Sequence, residues 1–162
     1  MKSELFAFEK LKAYKYARAL VRSVYKLLRK LPYEEKDGLR DQLKRAVISV
    51  PSNIAEGMGR KTIKAKQQFI EYSYGSLMEV LCQLQLANDL GYISEEELND
   101  ERVHIEDTAR IISGLYSYLE TKEKTQKEVK AKCDGGSIAS RFTLYASRKL
   151  KDGRRKRIIE CS

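Results

Sequence analysis

Apolar residues in the first quarter of the chain recur at alternating steps of three and four residues, the spacing of one helix face. They are Tyr14, Ala17, Val21, Val24, Leu28 and Leu31. We therefore predict a first helix from Phe8 to Leu31. Pro32 should end it, because a proline disfavours helical angles at the residue before it.

A second stripe on the same predicted helix is basic and also steps by three or four residues. It consists of Lys12, Lys15, Arg18, Arg22, Lys26 and Arg29. Residues at this spacing share one side of a helix. The first helix is therefore expected to carry a row of cations.

A second helix is predicted from about Gly38, with an apolar stripe at steps of four, four, three and four. The stripe is Leu39, Leu43, Val47, Val50 and Ile54. It keeps its register through Pro51, which favours a bend over a stop. Gly57 and Gly59 follow, and either glycine suits the left-handed residue that often closes a helix.

A third helix is predicted to start after Thr62, a favourable N-cap residue, and to reach about Leu90. Its apolar face is Ile70, Ser73, Leu77, Val80, Leu84 and Ala87. Gly75 lies inside this helix, where a glycine costs about 1 kcal/mol relative to alanine. We expect close approach of another backbone to compensate for it.

A fourth helix is predicted to begin at Ser94 and Glu97, which have the spacing of a capping box, and to end near Glu120. Its apolar residues repeat at seven: Leu98, Ile105, Ile112 and Leu119. Four long helices with short connections predict an all-α, antiparallel up-down-up-down four-helix bundle over residues 6–120. Residues 121–162 are expected to form a basic tail, with a helical extension followed by a flexible arm or a short hairpin.

The charge of the chain is unevenly distributed, although its net value is +9. Residues 1–66 hold 17 basic and 7 acidic side chains, residues 67–120 hold 2 and 11, and residues 121–162 hold 13 and 5. Such asymmetry indicates either an acidic partner or assembly between unlike faces of identical subunits.

The sequence lacks the residues that several functional classes of protein require. The segment from Gly57 to Thr62 has neither the glycine spacing nor the preceding strand of a phosphate-binding loop. Cys82, Cys133, Cys161 and the single His104 are too dispersed for a zinc site or a disulfide framework. No nucleophile–base pair is evident, and Glu56, Glu71 and Glu79 are carboxylates without a histidine or metal companion. We expect no catalysis and no cofactor.

The start of the chain has no apolar segment typical of a signal peptide, and no apolar run is long enough to cross a bilayer. A cytoplasmic protein that does not enter a membrane is therefore expected.

The segments "SVPSNIAEGMGR", "GSLMEV" and "LGYIS" resemble those of the 23S ribosomal RNA intervening-sequence proteins, also called the four-helix bundle protein family. The resemblance covers about residues 6–120. It implies a bundle that assembles into a homopentameric ring, with no known reaction. The fold is also similar to that of the accessory variability protein of retroelements, a basic pentamer that associates with a reverse transcriptase and nucleic acid.

The resemblance places the family's motif residues at Gln42, Arg45, Ser49, Pro51, Asn53, Glu56, Gly57, Arg60, Gly75, Ser76 and Glu79. We interpret these residues as structural. Arg45 and Glu79 are expected to form a partly buried ion pair beside Gly75. Asn53 is expected to satisfy the carbonyl group that Pro51 leaves without a donor.

The leading hypothesis is a non-enzymatic oligomer that binds nucleic acid, RNA more than DNA, through its basic faces. Besides the first-helix stripe, the candidate contacts are Lys44, Arg60, Lys61, Lys64, Lys66, Arg154, Arg155, Lys156 and Arg157. The alternative is an accessory subunit for a protein such as a reverse transcriptase. In that alternative, the charges serve mainly to join subunits into a ring.

Overall fold

A computed structural model describes residues 6–135, which form four α-helices. They are α1 (Lys12–Leu27), α2 (Leu39–Gly59), α3 (Ile63–Asp89) and α4 (Glu95–Gly135). Short 3-10 helices at Ala7–Lys10 and Tyr33–Asp37 precede α1 and α2. Residues 6–135 contain no strand, so the predicted all-α class is confirmed for them.

The chain divides into two units, Met1–Glu123 and Lys124–Ser162, and the packing described below belongs to the first. Helix α4 continues past Glu120, where the sequence predicted the bundle domain to end. Residues 124–131 of this helix are exposed to solvent. The predicted arm or hairpin falls on residues 136–162, outside the described part of the chain.

Helix α1 is shorter than the predicted span from Phe8 to Leu31. Leu11 has extended backbone angles, which separate α1 from the 3-10 turn before it. At the other end, Lys30 N–H bonds to the carbonyl oxygen of Leu27, which tightens the chain into turns before Pro32. The prediction that Pro32 ends the helix is therefore wrong, because α1 ends at Leu27, a full turn before Leu31, the residue whose backbone Pro32 restricts.

Helix α2 runs through Pro51 without interruption. The hydroxyl of Ser52 donates to the carbonyl oxygen of Ile48, and that of Ser73 on α3 donates to the oxygen of Val50. Neither bond replaces the one that Pro51 cannot make, because a helical N–H at position 51 would donate to the carbonyl oxygen of Val47.

The predicted left-handed closure of α2 at Gly57 or Gly59 is wrong, because neither glycine has a positive φ. The helix ends instead at Arg60, whose backbone is extended. Gly57 is buried against α3, and a Cβ atom at this position would lie 2.8 Å from the Cβ atom of Phe69. Glycine is therefore present because α3 packs too closely for a side chain.

The predicted start and end of α3 and the predicted start of α4 are confirmed by their capping contacts. The Thr62 hydroxyl accepts from the N–H of Ala65 at 3.2 Å. Gly91, with φ of 75°, closes α3, and the N–H of Tyr92 reaches the oxygen of Ala87 as in a Schellman motif. Ser94 and Glu97 form the reciprocal bonds of a capping box at 3.1 and 3.2 Å.

One hydrophobic core draws residues from all four helices of the first unit. Its largest fully buried side chains are Leu20, Leu43, Ile54, Ile70, Leu77, Leu84, Ile105, Ile112, Val24, Val47, Val50 and Val80. All of them except Leu20 belong to the apolar stripes given above for the four predicted helices, and Leu20 lies next to Val21 and Val24 on the first of these stripes. Burial of each such side chain contributes about 1.5–3 kcal/mol.

Candidate nucleic-acid interface

All six residues of the predicted basic stripe of α1 are exposed: Lys12, Lys15, Arg18, Arg22, Lys26 and Arg29. Among residues 6–135, none of the six forms an ion pair with a carboxylate. The guanidinium carbon of Arg18 lies 5.7 Å from the ring centre of Tyr14. Five of the six cations lie in α1, and Arg29 lies in the turn that follows it. This surface of six residues, called here the α1 basic face, therefore presents positive charge to solvent.

A surface groove of about 410 Å³ lies between the α1 basic face and α2. Its lining is Tyr14, Arg18, Val21, Arg22, Ile48, Pro51, Ser52 and Ala55. Two guanidinium groups therefore stand beside a mainly apolar wall. The sequence analysis predicted the two arginines as phosphate contacts but missed the wall. Ile48, which is 41% exposed, lies off the apolar stripe of α2 and could have signalled it.

The other predicted cations lie near the connection between α2 and α3 or on α2 itself. Lys44, Lys61 and Lys64 are exposed, and Lys66 is half-buried. Arg60 is already engaged, because it pairs with Glu56 and its guanidinium carbon lies 4.4 Å from the ring centre of Phe69. Its positive charge is therefore partly used within the protein.

The remaining predicted contacts, Arg154, Arg155, Lys156 and Arg157, fall outside the described residues.

The expected ion pair between Arg45 and Glu79 is wrong. Arg45 pairs with Asp41 one turn earlier on its own helix, at 2.7 Å. Glu79 accepts a 3.1 Å hydrogen bond from Gln83, also on its own helix. Both motif residues are exposed, so each finds a partner four residues away on its own helix rather than across a buried contact.

Gly75 is likewise exposed, and no atom other than those of its own stretch of helix lies within 4 Å of a Cβ atom built on it. The expected close approach of another backbone to Gly75 is therefore wrong within one chain. Gln42 and Glu56 are also exposed, so much of the motif faces solvent.

Three motif residues form a polar contact between α2 and α3. The hydroxyl oxygens of Ser49 and Ser76 are 3.0 Å apart, and the Asn53 amide donates to Ser49 at 3.0 Å. Asn53 was expected to satisfy a carbonyl group beside Pro51, and that expectation is wrong. Its side chain instead orients the serine that joins the two helices.

A second groove, of about 400 Å³, lies between α3 and α4. It is lined by Ile70, Glu71, Tyr74, Ile112, Ser113, Tyr116 and Ser117. The hydrogen bond between Tyr116 and Glu71, with the negative charge of that carboxylate, raises the pKa of the Tyr116 hydroxyl. This groove matches the first in size but has a carboxylate where the first has two arginines.

Glu101 on α4 is a buried carboxylate that the sequence analysis missed. It is 3% exposed, and its Oε2 atom has no hydrogen-bond partner in the structure. Burial raises the pKa of Glu101, while a hydrogen bond from Ser23 and the charges of His104 and Lys26 act in the opposite direction. Its position, three residues after Leu98 and four before Ile105, places it on the apolar stripe and was the available signal.

Within the described residues, no group of histidine, cysteine, aspartate and glutamate side chains is arranged to hold a metal ion. None of the helices in that part of the chain is both long enough and apolar enough to span a bilayer. The predicted cytoplasmic location stays a prediction.

A protein-family model described as "23S rRNA-intervening sequence protein" matches residues 9–114. This range includes the α1 basic face, both grooves except Tyr116 and Ser117, and every motif residue between Gln42 and Glu79. A search of curated proteins found no match to the chain.

Proposed function

The chain belongs to the 23S rRNA-intervening sequence protein family, and from that premise we propose that it is a non-enzymatic protein that binds nucleic acid, RNA in preference to DNA. The observation that carries this proposal is the α1 basic face, where six exposed cations form no ion pair with a carboxylate among residues 6–135. Lysine and arginine on such a surface bind phosphates and release condensed counterions.

Lys44, Lys61, Lys64 and Lys66 would extend this contact beyond α1, and Arg154 to Arg157 would add a basic arm. Binding of this kind depends little on base sequence and weakens steeply as salt is added. Arg60 would contribute less, since its guanidinium is already paired with Glu56.

The helices are proposed to pack as an antiparallel up-down-up-down bundle. Support comes from α2 and α3, where Ser49 contacts Ser76 and Gly57 lies against Phe69. Later residues of α2 therefore contact earlier residues of α3, which is the arrangement of antiparallel helices. The connections at residues 60–62 and 90–94 are also too short to return a helix to its starting end.

Copies of the chain are further proposed to assemble into a homopentameric ring. Such a ring would repeat the α1 basic face around its axis, so that weak phosphate contacts add by avidity. Exposed apolar side chains on the outer side of α3, Tyr72, Leu86 and Leu90, offer surface for subunit contacts.

A second candidate function is an accessory subunit for a protein partner such as a reverse transcriptase, with charge used mainly for ring assembly. The acidic residues 67–120, with 11 carboxylates against 2 cations, favour it. They supply the complementary patch that a head-to-tail ring requires.

Light-scattering mass, measured with and without a short single-stranded RNA across a salt series, separates the two functions. The proposal expects RNA to dissociate as salt rises while the mass of the protein stays constant. Protein that binds no RNA at low salt, and whose mass falls as salt rises, would overturn the proposal in favour of the accessory subunit.

A matched pair of triple variants tests the face itself. The first variant replaces Lys15, Arg22 and Arg29 with Gln. It should bind RNA much more weakly than wild type, and its binding should depend less on salt. The control variant replaces Lys36, Arg45 and Arg110 with Gln. It loses the same amount of positive charge, but from residues that already form ion pairs with acidic side chains. This control should change RNA binding less, and equal losses in the two variants would contradict a specific role for α1.

A further inference from the structure

The groove between α1 and α2 combines positive charge with apolar surface. Arg18 and Arg22, one helical turn apart, supply positive charge, while Val21, Ile48 and Pro51 supply apolar surface. Phosphate binding requires only the arginines. A ligand that presents only phosphates would leave the apolar wall uncovered, so the wall would contribute no binding free energy.

We infer that this groove receives an unpaired nucleotide, with its base against Ile48 and Pro51 and its phosphates on Arg18 and Arg22. The inference rests on the proposed function and specifies its ligand as single-stranded RNA. In a duplex, the bases are stacked and paired inside the helix, so only phosphate and sugar reach a protein surface of this shape. An unpaired base has an exposed apolar face that the groove can cover.

The dimensions of the groove suit one nucleotide. Its volume of about 410 Å³ lies at the lower end of the range for small-ligand sites, about 300–1,000 Å³. Tyr14 lines the groove, and the guanidinium of Arg18 lies over its ring. The rings of Phe8 and Tyr14 are nearly perpendicular, with their centres 4.9 Å apart. These contacts hold the aromatic ring in place before a ligand arrives, which lowers the entropy cost of binding.

The second groove, between α3 and α4, shows why charge decides the ligand. It has a similar volume and two tyrosines, Tyr74 and Tyr116, but Glu71 replaces the arginines. A carboxylate there would repel the phosphates of a nucleotide. The first groove alone, of these two, has both the charge and the apolar surface that the ligand requires.

The test compares three RNA ligands of equal phosphate number by fluorescence anisotropy: a single strand, a duplex, and an abasic single strand that lacks bases. Wild-type protein should bind the single strand more tightly than either of the others by about fivefold or more, as expected from burial of one base. Ile48→Gln should abolish this preference and leave duplex affinity unchanged. Val103→Gln, an exposed apolar residue on α4, is the matched control and should keep the preference.

A charge-matched pair tests the arginines. Arg18→Gln with Arg22→Gln should reduce single-strand affinity more than Lys26→Gln with Arg29→Gln, since only the first pair lines the groove. The two double variants should weaken duplex binding to a similar extent. Denaturation midpoints of all variants should match that of the wild type, because every substituted side chain is exposed.

The outcomes separate this inference from the proposed function. Equal affinity for the single strand, duplex and abasic strand would overturn the groove inference and leave RNA binding by charge intact. Absence of binding to all three would overturn the proposed function itself. If an acidic tyrosine-containing peptide binds wild type but not Ile48→Gln, and the strand preference is missing, the groove belongs to a protein partner and the inference is wrong.

Discussion

The buried hydroxyl of Ser73 on α3 donates a 2.8 Å hydrogen bond to the main-chain oxygen of Val50 on α2. Val50 directly precedes Pro51, whose ring lies inside the helix and lacks the N–H that a helix normally uses. The polar side chain on the apolar stripe of α3 thus has a hydrogen-bond acceptor in the main chain of α2, beside Pro51. The pair joins the two helices directly.

Replacing Ser73 with alanine should lower the free energy of unfolding by about 1 kcal/mol, the usual net contribution of a hydrogen bond. The loss stays modest because the Val50 oxygen remains within a helix. The measurement is urea denaturation followed by circular dichroism. Ser52→Ala is the control, since its exposed hydroxyl bonds only within α2, and it should change stability by a smaller amount. Equal effects in the two variants would argue against a special role for the contact between helices.

Gly57→Ala should destabilise the protein by about 1–3 kcal/mol, the range found for overpacked cores. The new Cβ atom would lie 2.8 Å from the Cβ atom of Phe69 and 3.3 Å from the main-chain oxygen of Lys66. Neither atom is the free end of a flexible side chain. Helix α2 would therefore have to move away from α3.

Gly75→Ala provides the opposite case for the same substitution. Gly75 lies inside α3, its φ is not positive, and its Cβ position is open to solvent. Alanine should therefore raise the free energy of unfolding by up to about 1 kcal/mol through its higher helix propensity. A loss of stability at Gly75, or a gain at Gly57, in thermal and urea denaturation would contradict this account of the two glycines.

The apolar faces of the helices and the caps at Thr62 and Ser94 were predicted correctly, because these features depend only on residues close together in the sequence. The wrong predictions concern which of several nearby groups a side chain contacts. Arg45 had Asp41 one turn away, and a pair within a helix needs no matching of two helices. Gly57 shows the same limit, because its packing against Phe69 depends on how closely two helices approach, which no local pattern specifies.

The groove beside α1 was not predictable from either helix alone. Arg18 and Arg22 come from one helix, while Ile48 and Pro51 come from the next, and the sequence placed the proline only as a structural feature. A site shared by two helices depends on their relative rotation. That rotation follows from the packing of the core rather than from the period of either stripe.

Glu101→Gln should make the protein less sensitive to rising pH. Burial raises the pKa of Glu101 in the folded state, so the fold binds its proton more tightly than the unfolded chain does. The stability associated with this proton is present below the ordinary pKa of glutamate, about 4.3, and is lost as pH rises through the raised pKa. Glutamine keeps the shape of the side chain without a titrating charge.

The measurement for Glu101→Gln is a series of urea denaturations from acidic to neutral pH. The stability of the variant relative to wild type should increase as pH rises across that window. Glu106→Gln, which removes a charge from an exposed position on α4, is the control for net charge. A constant difference between Glu101→Gln and wild type at all pH values would contradict the role of burial.

Glu97→Gln should have the opposite pH dependence. A hydrogen bond from Lys30, followed by one from the Ser94 main chain, lowers the pKa of Glu97 in the folded state. Its contribution to stability is therefore present above the ordinary pKa of glutamate and is lost as pH falls through the lowered value. The Lys30 side chain is 54% exposed, so solvent screening limits the ion pair to about 0.2–1 kcal/mol.

Glutamine can retain the capping-box hydrogen bonds of Glu97, so this substitution isolates the ion pair between Glu97 and Lys30 from the cap. The variant should be less stable than wild type near neutral pH and low salt, and the difference should shrink in acid and in high salt. Glu96→Gln removes the same charge from the same helical turn and controls for the helix dipole. If Glu97→Gln loses no more stability than Glu96→Gln at neutral pH, the ion pair does not stabilise the junction between the end of α1 and the start of α4.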